Sequence, residues 1–551
     1  MAATVPQISR RAEWLLLGIA VAIRLLHVFA IRDTVWFRYP IIDAATYHYA
    51  ALAIAAGQGH PDRVFWQPPG YAYFLGAIYA MTGASDLIAR LIQCGLGGVT
   101  AVLTARIGAL LFGRKVGLGA GYAAAAYGML VYFDATLLTP AVGVPLLLAA
   151  IWLALRAERE RAAPRLWAGA GFFTGLAAIV TANALVLAPL FAWRARSRWW
   201  IVVASTFLGL FPVTARNAIQ GGEAVLISSN MGINLYIGNN PRYDETVGMR
   251  PDLSWRRLTA EPRRVGIRDA AGGSAYFVRR VVQYAASEPA GFLLLQAKKL
   301  RLLLGGSEIY RNQAIYPERA SSPVLAVLLW KIPGLAFPFG LLLPVAALGL
   351  VVGARRAPLL ALSLAVYAAS VVAFFIAGRY RLPLVPLLLV FAAEGVRWLW
   401  NERATRRRLL AFAGMAAVYA IANAGQGRME SRMNADAEFS VGARLAAAGH
   451  PEEARAHYRR ALEEKPDYAE AWSNLGILDM DDGNEEAAER AFVRAVELAP
   501  DVTTTLANLA VYYEKKGRVA EAARLYERVL SLDPEDTMAL DRLRALRSRP
   551  G

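Results

Sequence analysis

The chain has 551 residues, 56% of them hydrophobic, and a mean hydropathy of +0.34, which excludes an ordinary soluble enzyme and indicates an integral membrane protein. Its net charge of +17 is unevenly spread, because residues 433–551 hold 16 Lys and Arg against 23 Asp and Glu. The positive excess lies elsewhere, largely in short clusters between apolar runs, as the positive-inside rule expects. A nucleic-acid-binding function is therefore excluded.

The N-terminus predicts a signal anchor, since Arg10 and Arg11 precede an apolar run over 14–31 without a small-residue cleavage site. The chain has a single cysteine, Cys94, which lies in an apolar run, and one cysteine cannot form an intrachain disulfide. Apolar runs predict further spans near 86–112, 117–133, 138–155, 199–215, 333–352, 357–377, 382–400 and 409–425.

Residues 166–193 are ambiguous between one long helix and two short ones. The basic clusters at 156–165 and 194–198 both lie inside only if this stretch enters the membrane and returns, with short arms and a shielded or wet tip at 181–184. That arrangement predicts eleven spans, a cytoplasmic N-terminus and an extracytoplasmic C-terminus. The extracytoplasmic segments are then 32–85, a turn around Asp134, and 216–330.

The tail carries a repeat with a fixed period of 34 residues, which is the tetratricopeptide length. The recurring residues are Pro466, Pro500 and Pro534, and also Gly449, Gly483 and Gly517. The predicted fold class is accordingly all-α: a polytopic membrane domain at 1–432, followed by an α-solenoid at 433–551. The solenoid has repeats at 435–468, 469–502 and 503–536 and a capping helix at 537–548.

Two acidic residues are predicted at outer ends of helices. Asp43, in "IIDAATYHYA", is either a functional carboxylate at the membrane boundary or the N-cap of the helix that follows. Asp134, in "VYFDATLLTP", either caps the helix of 138–155 or faces Asp43 across a cavity.

Three polar motifs accompany these acids. In "VFWQPPGYAYFLGAIY", Gln67 either serves a site or anchors an interfacial helix. In "AGRYRLPLVPLLL", Arg379 and Arg381 suit a phosphate at headgroup depth, or reach ordinary lipid phosphate. Arg216 and Asn217 mark where a span leaves the membrane, before an Asn- and Gly-rich stretch that is either a ligand-binding turn or a loop.

No Walker loop and no G-x-S-x-G motif occur, which disfavours ATP-driven transport and serine hydrolysis. No cofactor is indicated. A divalent metal stays an open alternative, although the candidate ligands His48, His60, Asp43 and Asp62 lack a paired spacing.

In their order, these motifs resemble the GT-C class of membrane glycosyltransferases. The resemblance covers about residues 10–425 and is nearest to the protein O-mannosyltransferase and aminoarabinose-transferase branch, in a bacterial form with tetratricopeptide repeats. It departs from the family pattern where Ala44, and not a second acid, follows Asp43, and where Thr139 and Pro140 stand in place of an acid.

The resemblance implies a polyprenyl-phosphate-linked sugar donor and a protein or glycan acceptor hydroxyl outside the bacterial inner membrane. Asp43 matches the general base, and Asp134 is the candidate second catalytic acid. The expected substrate-binding residues are Tyr47, His48, Gln67, Arg216, Asn217, Asn239, Arg379, Tyr380 and Arg381. The repeats are expected to bind a protein partner. Two alternatives remain: a ligase for lipid-linked oligosaccharide, and a non-catalytic scaffold that works through its repeats.

Overall fold

The structure is a computed structural model that describes residues 8–40, 42–160, 164–248, 253–309, 311, 315–425, 428–534 and 536–548. Within these ranges the chain is almost wholly helical, which confirms the predicted fold class. A single two-stranded antiparallel hairpin interrupts the helices in the described part, with Trp330 paired to Phe337 and Ile332 to Leu335.

The described part of the chain contains thirty α-helices. The first ten are α1 Arg10–Ile31, α2 Val35–Arg38, α3 Asp43–Ala55, α4 Gly70–Thr82, α5 Asp86–Phe112, α6 Arg114–Ala125, α7 Gly128–Asp134, α8 Pro140–Arg159, α9 Pro164–Val180 and α10 Leu187–Ala195. The next ten are α11 Trp199–Gly221, α12 Met231–Ile237, α13 Tyr243–Thr246, α14 Leu253–Arg264, α15 Ala270–Ser287, α16 Pro289–Leu304, α17 Ile315–Arg319, α18 Pro323–Leu328, α19 Phe339–Gly353 and α20 Pro358–Ala373.

The remaining helices complete the chain: α21 Gly378–Arg381, α22 Val385–Asn401, α23 Thr405–Asn423, α24 Arg428–Ala447, α25 Pro451–Glu464, α26 Ala469–Asp481, α27 Glu485–Leu498, α28 Thr503–Lys515, α29 Val519–Leu532 and α30 Thr537–Arg547. The hairpin strands β1 Trp330–Ile332 and β2 Leu335–Phe337 precede α19. Short 3-10 turns lie at Ala182–Val186, Arg196–Arg198, Ala354–Arg356 and Leu382–Leu384.

The chain forms two compact units. The first contains Met1–Gly248, Glu261–Arg311 and Glu318–Gln426, and the second contains Met249–Ala260, Asn312–Pro317 and Gly427–Gly551. Candidate spans all lie in the first unit, and the tail helices in the second.

Fewer helices than the predicted eleven are long and apolar enough to cross a membrane. Among the described residues there are six, or seven if the bent pair Arg114–Ala125 and Gly128–Asp134 forms one span, and Pro358–Ala373 is a shorter apolar helix. Two of the remaining stretches show why the numbers differ. The helix α9 has only 17 residues, and α23 begins with the run "TRRR".

The stretch predicted to turn back at 181–184 is broken at that place. The helix α9 ends at Val180, Thr181 is extended (φ −142°, ψ 100°), and a 3-10 turn follows before α10. Asn183 Nδ2 donates to Ser370 Oγ at 3.3 Å and Ala184 is buried, whereas Ala182 is exposed. Protein therefore shields this non-helical backbone only in part. Irregular backbone at membrane depth is tolerated where it is buried in protein or lines a wet cavity.

Glycines bring the helices of the first unit close together. A Cβ on Gly108 would lie 2.9 Å from the Cα of Gly117, and one on Gly175 would lie 3.0 Å from the Cα of Gly209. These positions join α5 to α6 and α9 to α11. Small residues at such crossings let backbones approach, which is how helices gain packing energy in lipid.

The tail consists of helix pairs spaced as the repeat predicts. Aromatic and alanine side chains fill the interior of these pairs, and Tyr458, Phe492 and Tyr526 are buried at equivalent positions. Glycines with positive φ, at 76° for Gly483 and 74° for Gly517, end the first helix of successive repeats. The α-solenoid is therefore observed as expected.

Candidate active site at the start of helix α3

The helix α3 begins at Asp43 and follows a strained residue. Ile42 has φ 50° and ψ −115°, a conformation that costs a β-branched residue about 1–3 kcal/mol. Ile42 occupies the cap position, and no side chain caps the helix, so the alternative that Asp43 is an N-cap is wrong. The backbone instead directs the carboxylate of Asp43 toward other elements.

Two side chains predicted for the site meet Asp43. Gln67 Nε2 donates to Asp43 Oδ1 at 3.1 Å, and Arg379 Nη1 forms an ion pair with Asp43 Oδ2. The three come from the start of α3, the turn before α4, and α21. Asp43 and Arg379 are only 13% and 14% exposed, so this ion pair is largely withdrawn from water.

The electrostatics keep Asp43 ionised. Burial by itself would raise the pKa of this carboxyl, but the charge and hydrogen bond of Arg379 outweigh burial and hold the pKa below its usual value. The hydrogen bond from Gln67 and the charge of Arg311 act in the same direction. Asp43 is therefore a carboxylate throughout the physiological range.

A second cation, which no sequence motif indicates, lies at the site. The guanidinium of Arg311 stacks over Phe375 at 4.4 Å, and the ring of Phe375 packs edge-on against Tyr380 at 5.5 Å. Tyr380 in turn accepts a hydrogen bond from Arg379 Nη2 at 3.0 Å. Arg311 stands in the loop after α16, which has no recognisable motif, so only the folded chain shows that it lies near Asp43.

Two buried polar atoms at this site have no hydrogen-bond partner in the part of the chain that the structure describes. Gln67 Oε1 and Arg379 Nε are buried, and neither has a hydrogen-bond partner among the described residues. Buried polar atoms are nearly always paired, so an unpaired donor and an unpaired acceptor beside one carboxylate suggest a place for a polar ligand.

Tyr47 lies one helical turn after Asp43 and is buried. Burial raises the pKa of its phenol, which stays neutral. Its ring packs edge-on against Tyr71 at 5.2 Å, and Tyr71 donates to Gln93 Oε1 at 2.6 Å. A chain of packed polar side chains thus links the start of α3 to the first third of α5.

His48 belongs to a neighbouring cluster. Its Nδ1 lies 2.8 Å from the hydroxyl of Tyr79 and 3.3 Å from Asp86 Oδ1, and Tyr79 also donates to Asp86. His60 lies beside a different acid, with its Nδ1 3.8 Å from Asp62 Oδ2. Across the described residues, no group of three His, Cys, Asp or Glu side chains is placed to hold a metal ion.

Asp134 is engaged within the helices. Its carboxylate pairs with Arg24 Nε at 2.6 Å, and both side chains are almost fully buried. The alternative that Asp134 caps the next helix is wrong, because Thr139 holds the cap position of α8 and no side chain caps it. The predicted catalytic role of Asp134 stays a prediction, and this ion pair favours a structural role.

Arg381 is likewise engaged with protein. Its Nη2 pairs with Glu308 Oε2 at 2.6 Å, its Nη1 donates to the carbonyl of Gly305, and its guanidinium lies over Phe339 at 3.9 Å. These contacts fix the segment that leads from α16 to Arg311. Of the two arginines predicted to hold phosphate, Arg379 is the one that the fold brings to Asp43.

The polar residues at the end of α11 bind backbone. Arg216 donates to the carbonyls of Arg63 at 3.0 Å and Asp62 at 2.5 Å. Asn217 accepts from the amide of Phe65 at 3.1 Å and donates to the carbonyl of Val225 at 3.0 Å. Both residues therefore shape the loop that presents Gln67, and their predicted contact with substrate remains untested.

Comparisons with known proteins locate the family resemblance. Residues 66–214 match the model of the family described as dolichyl-phosphate-mannose-protein mannosyltransferase. Residues 445–510 and 504–536 match tetratricopeptide repeat models. The chain thus carries a GT-C mannosyltransferase-type segment and C-terminal tetratricopeptide repeats, as predicted, and this match supports a membrane glycosyltransferase. Asp43, Arg311 and Arg379 lie outside the matched segment.

A search of curated proteins gives no match. Among solved structures, the chain is similar to ArnT from Cupriavidus metallidurans bound to undecaprenyl phosphate, with 15% identity, a TM-score of 0.41, and coverage of 96% of this chain and 84% of that one. It is also similar to the oligosaccharyltransferase AglB from Archaeoglobus fulgidus, with 13% identity, a TM-score of 0.43, and coverage of 82% and 59%. The chain therefore spans little more than half of AglB.

Proposed function

We propose that the protein transfers a sugar from a polyprenyl-phosphate-linked donor to an acceptor hydroxyl outside the membrane, with inversion at the anomeric carbon. The observation that carries the proposal is the buried pair of Asp43 and Arg379, with Arg311 nearby. In this proposal Asp43 serves the acceptor as a base, and the two guanidinium groups serve the departing phosphate. The family match over residues 66–214 supports the reaction class.

In the proposed reaction, Asp43 accepts the proton of the acceptor hydroxyl as its oxygen bonds to C1 of the sugar. The bond from C1 to the phosphate oxygen breaks, and its electron pair stays on that oxygen. A carboxylate with a lowered pKa is a weak base, but the hydroxyl becomes acidic as its bond to C1 forms. Asp43 accepts the proton without a second acid beside it in the sequence, because the next residue is Ala44.

The leaving phosphate is stabilised by cations already in place. Arg379 uses Nη1 for Asp43 and Nη2 for Tyr380, while its Nε has no hydrogen-bond partner among the described residues. That nitrogen is the donor we assign to a phosphate oxygen, with Arg311 as the second cation. Arginine suits this role because its planar group presents several donors in fixed geometry.

The site is proposed to lie on the extracytoplasmic side of a bacterial inner membrane, with the N-terminus inside. This sidedness is supported by the basic clusters between spans. The tetratricopeptide tail is proposed to lie on the same side and to bind a protein, either the acceptor or an envelope partner.

The replacement Asp43→Asn tests the proposal. Purified full-length protein is given a panel of undecaprenyl-phosphate-linked sugars with membrane-extract acceptors, and product masses are measured. We expect Asp43→Asn to reduce transfer by about 10³-fold with folding preserved. The matched control is Asp33→Asn in the same segment, where the acid is 72% exposed and bound only to surface arginines in the described contacts.

Each contrary outcome has a distinct meaning. If Asp43→Asn still transfers sugar at the wild-type rate, Asp43 is not the base. Products that carry an intact oligosaccharide would favour a ligase. A wild-type protein that binds partners through its repeats but transfers no sugar from any donor would favour the scaffold alternative.

A further inference from the structure

On helix α16 one lysine faces inward beside buried leucines, while two other leucines face outward. Leu293 and Leu294 are 67% and 72% exposed, whereas Lys299 is fully buried at 0%. A buried ammonium group is costly unless it is hydrogen-bonded. The contacts of Lys299 must therefore explain why it faces inward.

The amine of Lys299 holds the end of α20. It donates to Asn239 Oδ1 at 2.8 Å and to the backbone carbonyl of Phe374 at 3.0 Å. Asn239 Nδ2 donates to the adjacent carbonyl of Ala373 at 2.7 Å, and Gln296 also donates to Asn239 Oδ1, at 2.9 Å. Two successive carbonyls are thus held by one lysine–asparagine unit.

Those carbonyls begin the turn that leads to the candidate site. Phe374 leaves the helical conformation, with φ −96° and ψ −107°, and α21 begins four residues later at Gly378. Within this turn the ring of Phe375 packs against the guanidinium of Arg311. Arg379 is the second residue of α21, which begins where the turn ends. Gly238 packs so closely on the carbonyl of Phe374 that any Cβ would overlap it.

We propose that Lys299 is a positioning residue for the site at Asp43. Through Asn239 and the carbonyl of Phe374 it fixes the turn 374–377. The fixed turn places Phe375 against Arg311 and lets Arg379 pair with Asp43. The inference rests on the proposed function, because the phosphate that Arg379 and Arg311 would hold belongs to that reaction.

The charge of Lys299 is poorly compensated by its surroundings. Its amine contacts amide and carbonyl oxygens, and burial lowers its pKa to about 7. The ionisable residues on α12, α15 and α20 are Tyr236, Tyr276, Arg279, Arg280, Tyr284 and Tyr367. None of these is an aspartate or a glutamate. The helix α13 adds Tyr243, Asp244 and Glu245, and there Asp244 pairs with the exposed Lys298, not with Lys299. A neutral amine donates weaker hydrogen bonds than an ammonium, so the turn is held best below neutral pH.

The test compares Lys299→Met with Lys298→Met in the full-length protein. Lys298 is the adjacent residue, but it is 42% exposed and pairs with Asp244 at 2.6 Å, which makes it a matched control. Two quantities are measured: the affinity for undecaprenyl phosphate at about pH 6 and about pH 8.5, and hydrogen exchange over residues 373–384.

We expect Lys299→Met to weaken undecaprenyl-phosphate binding about tenfold at the lower pH. The difference from wild type should shrink at the higher pH, where Lys299 is already neutral. Exchange over the turn should become faster, while the melting temperature is kept, because methionine fills the same buried space. Lys298→Met should leave the affinity and the exchange unchanged.

The outcomes separate this inference from the function on which it rests. If wild type binds undecaprenyl phosphate and Lys299→Met binds it equally at the lower pH, the positioning role is overturned. If the turn exchanges no faster in Lys299→Met, the role is overturned as well. If wild type fails to bind the lipid while the turn does respond to Lys299→Met, the proposed function fails and the structural coupling stands.

Discussion

At the scale of single residues, the site combines a carboxylate with a cation that lowers its pKa. Arg379 lowers the pKa of Asp43 against the effect of burial, and Gln67 adds a hydrogen bond to the same carboxylate. The strain at Ile42 belongs to this arrangement, since it lies at the residue that precedes the carboxylate. Strained backbone is characteristic of functional sites that the surrounding fold holds in place.

Arg379→Met should move the acid limb of the pH–rate profile to higher pH. Without the guanidinium, burial becomes the dominant influence and raises the pKa of Asp43, so that the base is protonated at a higher pH. In wild type the carboxyl has a lowered pKa, and its acid limb lies below the usual range of aspartate. Profiles of kcat/KM against pH should show a shift of about one unit or more.

The control for this prediction is Arg38→Met, since Arg38 is 59% exposed and pairs with Asp33. It should leave the profile in place. An acid limb that stays where it is in Arg379→Met would show that Asp43 is not the titrating base.

At the scale of elements, a buried ion pair joins three helices. Arg24 on α1 pairs with Asp134 at the end of α7 and donates to the carbonyl of Ala125 at 3.0 Å. Gly97 on α5 provides the space for this pair, because a Cβ there would overlap both Arg24 Nε and Asp134 Oδ2. Breaking such a pair leaves a charge that is buried without compensation.

Gly97→Ala should destabilise the protein by about 3–5 kcal/mol, the cost of disrupting a buried ion pair. Thermal unfolding in detergent measures this change. The control is Gly95→Ala on the same helix, where a Cβ meets nothing within 4 Å. That variant should be neutral or slightly stabilising, because alanine favours the helix over glycine. Equal melting temperatures for the two variants would contradict the account of the pair.

At the scale of the whole molecule, the candidate membrane spans and the tetratricopeptide repeats lie in different compact units. The first contains the apolar helices and the residues around Asp43, and the second contains the acidic repeats. The proposed sidedness requires an odd number of membrane crossings between residue 10 and the tail. The helices that are long and apolar enough do not by themselves decide that number.

A cysteine at position 504 should be labelled from outside intact spheroplasts. The background is Cys94→Ala, because Cys94 is the only cysteine and is buried. Thr504→Cys on the exposed surface of the tail should react with a membrane-impermeant maleimide. Arg407→Cys, in a basic cluster predicted to be cytoplasmic, should react only after lysis. Labelling of position 504 only after lysis would contradict the proposed orientation.

Sequence patterns predicted the site unevenly. Asp43, Gln67 and Arg379 stood in recognisable segments, and the fold brings them together. Arg381 stands two residues from Arg379, yet it is turned to Glu308. No sequence motif surrounds Arg311, because its place at the site depends on Asp43 and Phe375, which are distant in the chain. Spacing identifies candidates, but the direction of a side chain depends on the helices packed around it.

The sequence by itself determined the membrane class, the all-helical fold and the repeats. Hydropathy, charge clusters and a 34-residue period are local or periodic properties, and they remain visible in one dimension. The tertiary structure decided which charges meet: Asp43 with Arg379, Asp134 with Arg24, and Lys299 with carbonyls at the end of α20. These pairings join residues far apart in the chain, and each depends on burial that only the packed helices create.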